Sequence, residues 1–99
     1  MPAVAVEGST VATGHLCDTV TTLDTPGQGK VFVGGKLVAC LGDHTVSHQI
    51  GDNITCVPHI ASISGYSSTV SIGGKGVARI GDACDAGSIT SGASSVSIG

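Results

Sequence analysis

Tryptophan is absent from these 99 residues, and phenylalanine, tyrosine and methionine occur once each. A core must therefore be built from Val, Ile, Leu and Ala, whose small side chains bury little area and stabilise less per residue than aromatics. A chain of this length sits near the size at which a core alone gives only modest stability. Some further constraint is expected: a metal, a partner, or both. Positive charge is scarce as well. Four Lys and Arg against seven Asp and Glu give a formal charge of −3, which leaves no electrostatic footprint for nucleic acid or anionic lipid. No stretch approaches the roughly twenty apolar residues of a membrane span. The N-terminus Met1-Pro2-Ala3-Val4 lacks the basic and apolar regions of a signal peptide, so synthesis in the cytoplasm is expected. Leu, Lys and Glu are too few for amphipathic helices, whereas 16 glycines with abundant Ser, Thr and Val argue for short strands and tight turns. The expected fold is all-β with almost no helix, in a single domain over residues 1–99.

What is present is organised as a repeat. Val31-Phe-Val-Gly-Gly-Lys-Leu-Val-Ala-Cys-Leu-Gly-Asp43 aligns without a gap to Val70-Ser-Ile-Gly-Gly-Lys-Gly-Val-Ala-Arg-Ile-Gly-Asp82, an offset of about forty residues that falls within the period of repeat architectures. A third copy is split between the chain ends. Val96-Ser-Ile-Gly99 repeats the first half of the unit, and Ala5-Val-Glu-Gly-Ser9 matches Ala39 to Asp43 and Ala78 to Asp82. The Gly34-Gly35 and Gly73-Gly74 pairs lie between β-branched runs and can supply the positive φ of a two-residue hairpin turn. Each full copy thus predicts a β-hairpin, with Leu37 to Leu41 and Val77 to Ile80 as return strands. Asp43 and Asp82 then stop the strand, read as turn-formers that bond the backbone N–H groups of the following turn.

Between the repeats lie the donors. Gly42 to His59 holds three of the four histidines, His44, His48 and His59; His15 and Cys17 lie earlier in the chain and Cys84 later. Imidazole and thiolate are the groups zinc prefers, and a closed set of four contributes folding free energy directly. No close Cys-x-x-Cys pair occurs, so residue type and spacing leave two readings open: a metal joining both ends of the chain to its middle, or histidines decorating a polar loop. With no signal peptide, the four cysteines are expected as reduced thiols or metal ligands more than as a disulfide framework. Cys40, on a predicted strand where its sister copy has Arg79, is expected to be structural.

Three copies of strand, Gly-Gly, strand, Gly-Asp with His and Cys in the loops resemble the PAAR-repeat family, the tip proteins of contractile injection machines. Val77-Ala78-Arg79-Ile80-Gly81-Asp82 is close to the family's Pro-Ala-Ala-Arg motif, with Gly76-Val77 in place of Pro-Ala. The Arg is missing at Val38-Ala39-Cys40 and at Val4-Ala5-Val6, and Thr13-Gly14-His15-Leu16-Cys17 looks like a segment that phage-type members carry. The resemblance implies a small conical domain of three pseudo-threefold hairpin repeats with a metal-stapled apex. It implies one structural Zn²⁺ held by His15, His48, His59 and Cys84. His44 stands as the alternative to His48, Cys17 as a competitor of His15, and Cys56 as a lesser candidate three residues before His59.

The implied function is mechanical. One copy would cap a trimeric β-helical spike and sharpen it for piercing a target membrane, at a phage tail tip or a secreted spike apparatus, with an effector carried non-covalently if at all. No enzymatic step is needed and no nucleic acid is implied. Two other classes compete with this reading. A small zinc hydrolase needs an open metal position and a carboxylate base, yet the one Glu, Glu7, falls in a predicted strand, and Asp43 and Asp52 read as turn residues. A redox or metal-carrier protein needs a paired, accessible thiolate arrangement, and the spacing shows none.

Overall fold

The computed structural model describes residues 1–51 and 55–99, so Asp52, expected as a turn residue, lies outside the described residues. Strands follow one another in the order β1 (Ala3–Val4), β2 (Thr10–Ala12), β3 (Val20–Thr22), β4 (Phe32–Val33), β5 (Lys36–Leu37) and β6 (His48–Gly51). After them come β7 (Cys56–His59), β8 (Ser71–Ile72), β9 (Lys75–Gly76), β10 (Ala83–Cys84), β11 (Gly87–Ile89) and β12 (Ala93–Ser97). Among the described residues there is no helix. The strands are short because glycine or a polar turn residue interrupts each apolar run within a few positions.

The two glycine pairs make the expected hairpins. β4 pairs with β5 through Gly34-Gly35 at φ +62° and +80°, and β8 with β9 through Gly73-Gly74 at φ +59° and +83°. Both residues of each turn occupy the left-handed region that L side chains rarely adopt, which is why the repeat needs glycine there. The split copy closes in the same way: β1 pairs antiparallel with β12, and Ile98 N–H donates to the Pro2 carbonyl at 2.9 Å. The return strands expected over 37–41 and 77–80 are shorter than that. Regular pairing ends at Leu37 and Gly76, and the chain continues through single bridges, Val38 to Val6 and Val77 to Cys40, with Val4 to Arg79 completing the set.

Those bridges reflect a pseudo-threefold axis. Ala39 N–H donates to the Ala5 carbonyl at 3.0 Å, Ala78 N–H to Ala39 at 3.0 Å, and Ala5 N–H to Ala78 at 2.9 Å, a closed ring of three bonds. A second ring repeats the pattern with Glu7 to Leu37, Leu41 to Gly76 and Ile80 to Ala3, at 2.9, 2.9 and 3.0 Å. The three alanines are wholly buried. Three backbones satisfying one another around an axis leave room for a methyl group and little more.

Asp43 and Asp82 act backward and not onward. Asp43 Oδ2 accepts from Cys40 N–H at 2.7 Å, Asp82 Oδ2 from Arg79 N–H at 2.8 Å, and in the split copy Ser9 Oγ accepts from Val6 N–H at 3.0 Å. Each caps a donor three residues earlier, which closes the loop leaving the hairpin. The core is layered along the axis. Val4, Val6, Val38, Cys40 and Val77 pack beneath the hairpins against Val33 and Ile72. Beyond the alanine ring follow Val11, Leu23, Ile63, Cys84 and Ile89. The whole measures 41 × 24 × 22 Å.

Candidate metal centre

Beyond the second core layer the three loops diverge in length, and a polar cluster replaces the apolar core. Its centre is Asp85, in the two-residue turn joining β10 to β11, where Cys84 opposes Gly87. Asp85 has φ +59°, a left-handed conformation that Asp tolerates better than most residues. The hairpin is pinned from outside. Ala86 N–H is shared between Asp85 Oδ1 and the Thr13 carbonyl, each at 3.0 Å, and Ser88 and Ile89 of β11 pair with Ala12 and Val11 of β2.

His15 arrives from the loop after β2. Thr13, fully buried, organises that loop, its hydroxyl donating to the Asp18 carbonyl at 2.6 Å and accepting from His15 N–H at 3.2 Å. His48 and His59 arrive together on the β6–β7 hairpin, directly opposite each other in register. Their rings meet edge to face at 5.2 Å, and His15 meets His59 in the same manner at 5.8 Å. Two ties join these elements. Asp18 accepts Gln49 N–H at 2.7 Å and returns its own N–H to the Gln49 carbonyl at 3.0 Å, and a disulfide links Cys17 to Cys56. The disulfide corrects the expectation of reduced thiols. Its cysteines lie 39 positions apart, but the folded loops bring their Cα atoms within 6.1 Å, inside bridging range.

All three imidazoles aim Nε2 at one carboxylate. His15 stands 2.5 Å and His59 3.4 Å from Asp85 Oδ1, and His48 stands 2.8 Å from Oδ2, with the Asp85 side chain 4% exposed. Burial by itself would raise the Asp85 carboxyl. The hydrogen bonds from His15 and His48 and the charges of His15 and His59 overcome it and hold the group below its ordinary value. His48 makes the electrostatic demand explicit. Its Nδ1 lies 3.0 Å from the Val46 carbonyl, an acceptor only, so Nδ1 carries the hydrogen and Nε2 of a neutral ring presents a lone pair to Asp85. Two lone pairs 2.8 Å apart repel unless a cation stands between them, either a proton or a metal ion. The donor set fits a metal. Atoms of His15, His59 and Asp85 all lie within 4.8 Å of one another, close enough to share one ion, whereas His15 and His48 approach the carboxylate at hydrogen-bond distances of 2.5 and 2.8 Å.

A sequence model of the PAAR motif matches residues 13–91. The chain belongs to the PAAR-repeat family. No curated protein matches it. The family is one of spike-tip proteins of contractile injection systems, structural rather than enzymatic, associated with a spike protein and known for binding metal. The ring of alanines and the three hairpins are the PAAR fold as this chain builds it.

Of the ligands that the PAAR resemblance implies, the structure brings His15, His48 and His59 together and sets Cys84 apart. Cys84 is wholly buried in the second core layer, bridged to Ile63, and burial followed by the Asp85 charge pushes its thiol up to about 11. The carboxylate that meets the imidazoles belongs to the next residue. His44 pairs with Ser62 outside the cluster and is exposed. The repeat itself carried the signal for this difference: Cys84 aligns with Val11 and Thr45, both core positions, so its side chain turns inward.

Proposed function

We propose that residues 1–99 act as one unit, the metal-stapled point of a contractile spike, docked by its three-hairpin end as a single copy on a trimeric β-helical partner. The convergence of three imidazoles on one buried carboxylate, drawn from three loops, carries the metal half of this reading. A zinc ion would be held by His15, His48 and His59, with Asp85 in the fourth place that the family resemblance gave to Cys84. The ion would supply charge neutralisation and a cross-link where no apolar core fits. The docking half rests on the two rings of backbone bonds, which give one chain an approximate threefold base for three identical partners.

Elemental analysis with substitution tests the first half. One zinc per chain is expected in the wild type and in Cys84→Ala, and loss of metal in His59→Ala and Asp85→Ala. Metal lost in Cys84→Ala but kept in Asp85→Ala would reverse the fourth ligand. Native mass measurement with the cognate spike tests the second half. One copy per trimer is expected, and three per trimer would contradict it.

A further inference from the structure

The repeat shows one place where a charge is missing. Each unit has a residue at the bridge position, Val6, Cys40 or Arg79, and three residues later the side chain that caps its N–H, Ser9, Asp43 or Asp82. In the third unit the two side chains pair with each other. Arg79 Nε donates to Asp82 Oδ2 at 2.9 Å and Nη2 to Oδ1 at 2.7 Å, and Nη2 also reaches the Tyr66 carbonyl at 3.2 Å. In the second unit cysteine replaces the arginine. A crevice of about 160 Å³ opens there, lined by Asp43 and, from the neighbouring hairpin, by Lys75. One cation and one carboxylate are again present.

The split unit departs from this balance. Valine stands at the bridge position and serine at the capping position, and between this unit and the β4–β5 hairpin lies a crevice of about 310 Å³. Lys36 lines it at the repeat position of Lys75, with Val6, Val33 and Ala93 as an apolar floor and Ser94 and Ser95 on the rim. No carboxylate lines this crevice, and among the described residues Lys36 joins no ion pair. The lysine of the neighbouring hairpin is kept, as beside the second unit, and the acid at the capping position is gone.

We infer that this crevice is a carboxylate socket, filled by an acidic side chain of the protein on which the three-hairpin end docks. An ammonium with two hydroxyl donors over an apolar floor suits a carboxylate on a short methylene stem, which accepts from all three. A neutral amide returns less, because it presents a donor to the ammonium. Exposed Phe32 adjoins the crevice through β4, so the socket sits within a face that also offers apolar contact. This occupant rests on the docking reading given above. The socket itself rests on the missing acid.

Chemical-shift titration of the full chain with N-acetyl-glutamate N-methylamide, and with its glutamine analogue, tests the socket without the partner. Saturable shifts are expected at the Gly34, Ser94 and Ser95 amides with the acid and not with the amide, weakening as salt is added. Lys36→Gln should lower the affinity about tenfold or more, and Lys75→Gln should leave it unchanged. Ser9→Asp restores the acid that the sister units carry and keeps the N–H cap, so it should abolish binding while the thermal midpoint holds. An equal response to both ligands, an equal loss in Lys75→Gln, or no saturable shift up to about 0.1 M overturns the proposal. If the spike binds but the titration fails, the socket is wrong and docking stands. If the titration succeeds but no spike binds at this end, the docking reading falls and the carboxylate site remains.

Discussion

The two ends of this protein are held by different means. At the hairpin end the same bond is made three times: alanine to alanine around the axis, a capped N–H in each unit, a glycine turn in two and a chain gap in the third. At the histidine end nothing is repeated. Loops of unequal length are tied by one disulfide, one pair of Asp18–Gln49 bonds and one carboxylate shared by three rings. Repetition suffices where backbone can satisfy backbone, and cross-links take over where the section becomes too polar to hold an apolar core.

The largest effect should come from breaking the repeated end at its axis. Ala39→Leu forces three methylene-sized groups into a ring of wholly buried backbone. It should cost about 3 kcal/mol or more, read by thermal or denaturant unfolding. Replacing Cys17 and Cys56 by serine breaks the other end, and closure of so long a loop predicts a loss of about 2–4 kcal/mol. Amide exchange should then quicken over 13–19 and 55–59 while the Ala5, Ala39 and Ala78 amides stay protected, and uniform loss of protection would show that the ends are not separate. Arg79→Leu removes a partly buried fork on Asp82 and should cost about 1 kcal/mol by the same measurement.

A permutant that joins Gly99 to Met1 and opens the chain at Gly34-Gly35 sharpens the comparison. If the three hairpins are equivalent, its stability should lie within about 1 kcal/mol of the wild type. The smallest effect concerns acid and the metal-free protein. The Asp85 carboxyl is held below its unfolded value, so its contribution is complete above that value and fades as pH falls through the lower, folded one. Asp85→Asn should therefore lower the stability plateau at neutral pH and flatten the acid limb below about pH 4, where the wild type loses this contribution. An unchanged acid limb would show that the histidines do not depend on this carboxylate.

The same division explains what was legible in the sequence. The Gly-Gly turns, the split third copy and the absence of helix could be read directly, because turn geometry restricts residue choice locally. The histidines were nameable as a group because their chemistry is distinctive. Asp85, the carboxylate on which they converge, was not, since an aspartate in a tight turn has an ordinary local role. The Cys17–Cys56 bridge was equally hidden, being a product of how two variable loops meet. The direction of the Asp43 and Asp82 caps was misjudged for a related reason: a carboxylate can satisfy donors on either side of itself, and the chain path decides which.

The gap in the third hairpin governs where the molecule can be extended. Pro2 and Ile98 are bonded side by side, with Ile98 packed on the Val6 layer, so a polypeptide fused to either terminus emerges at the hairpin end, across the alanine ring from the histidines. A passenger attached there would hang from the hairpin end and leave the histidine cluster uncovered.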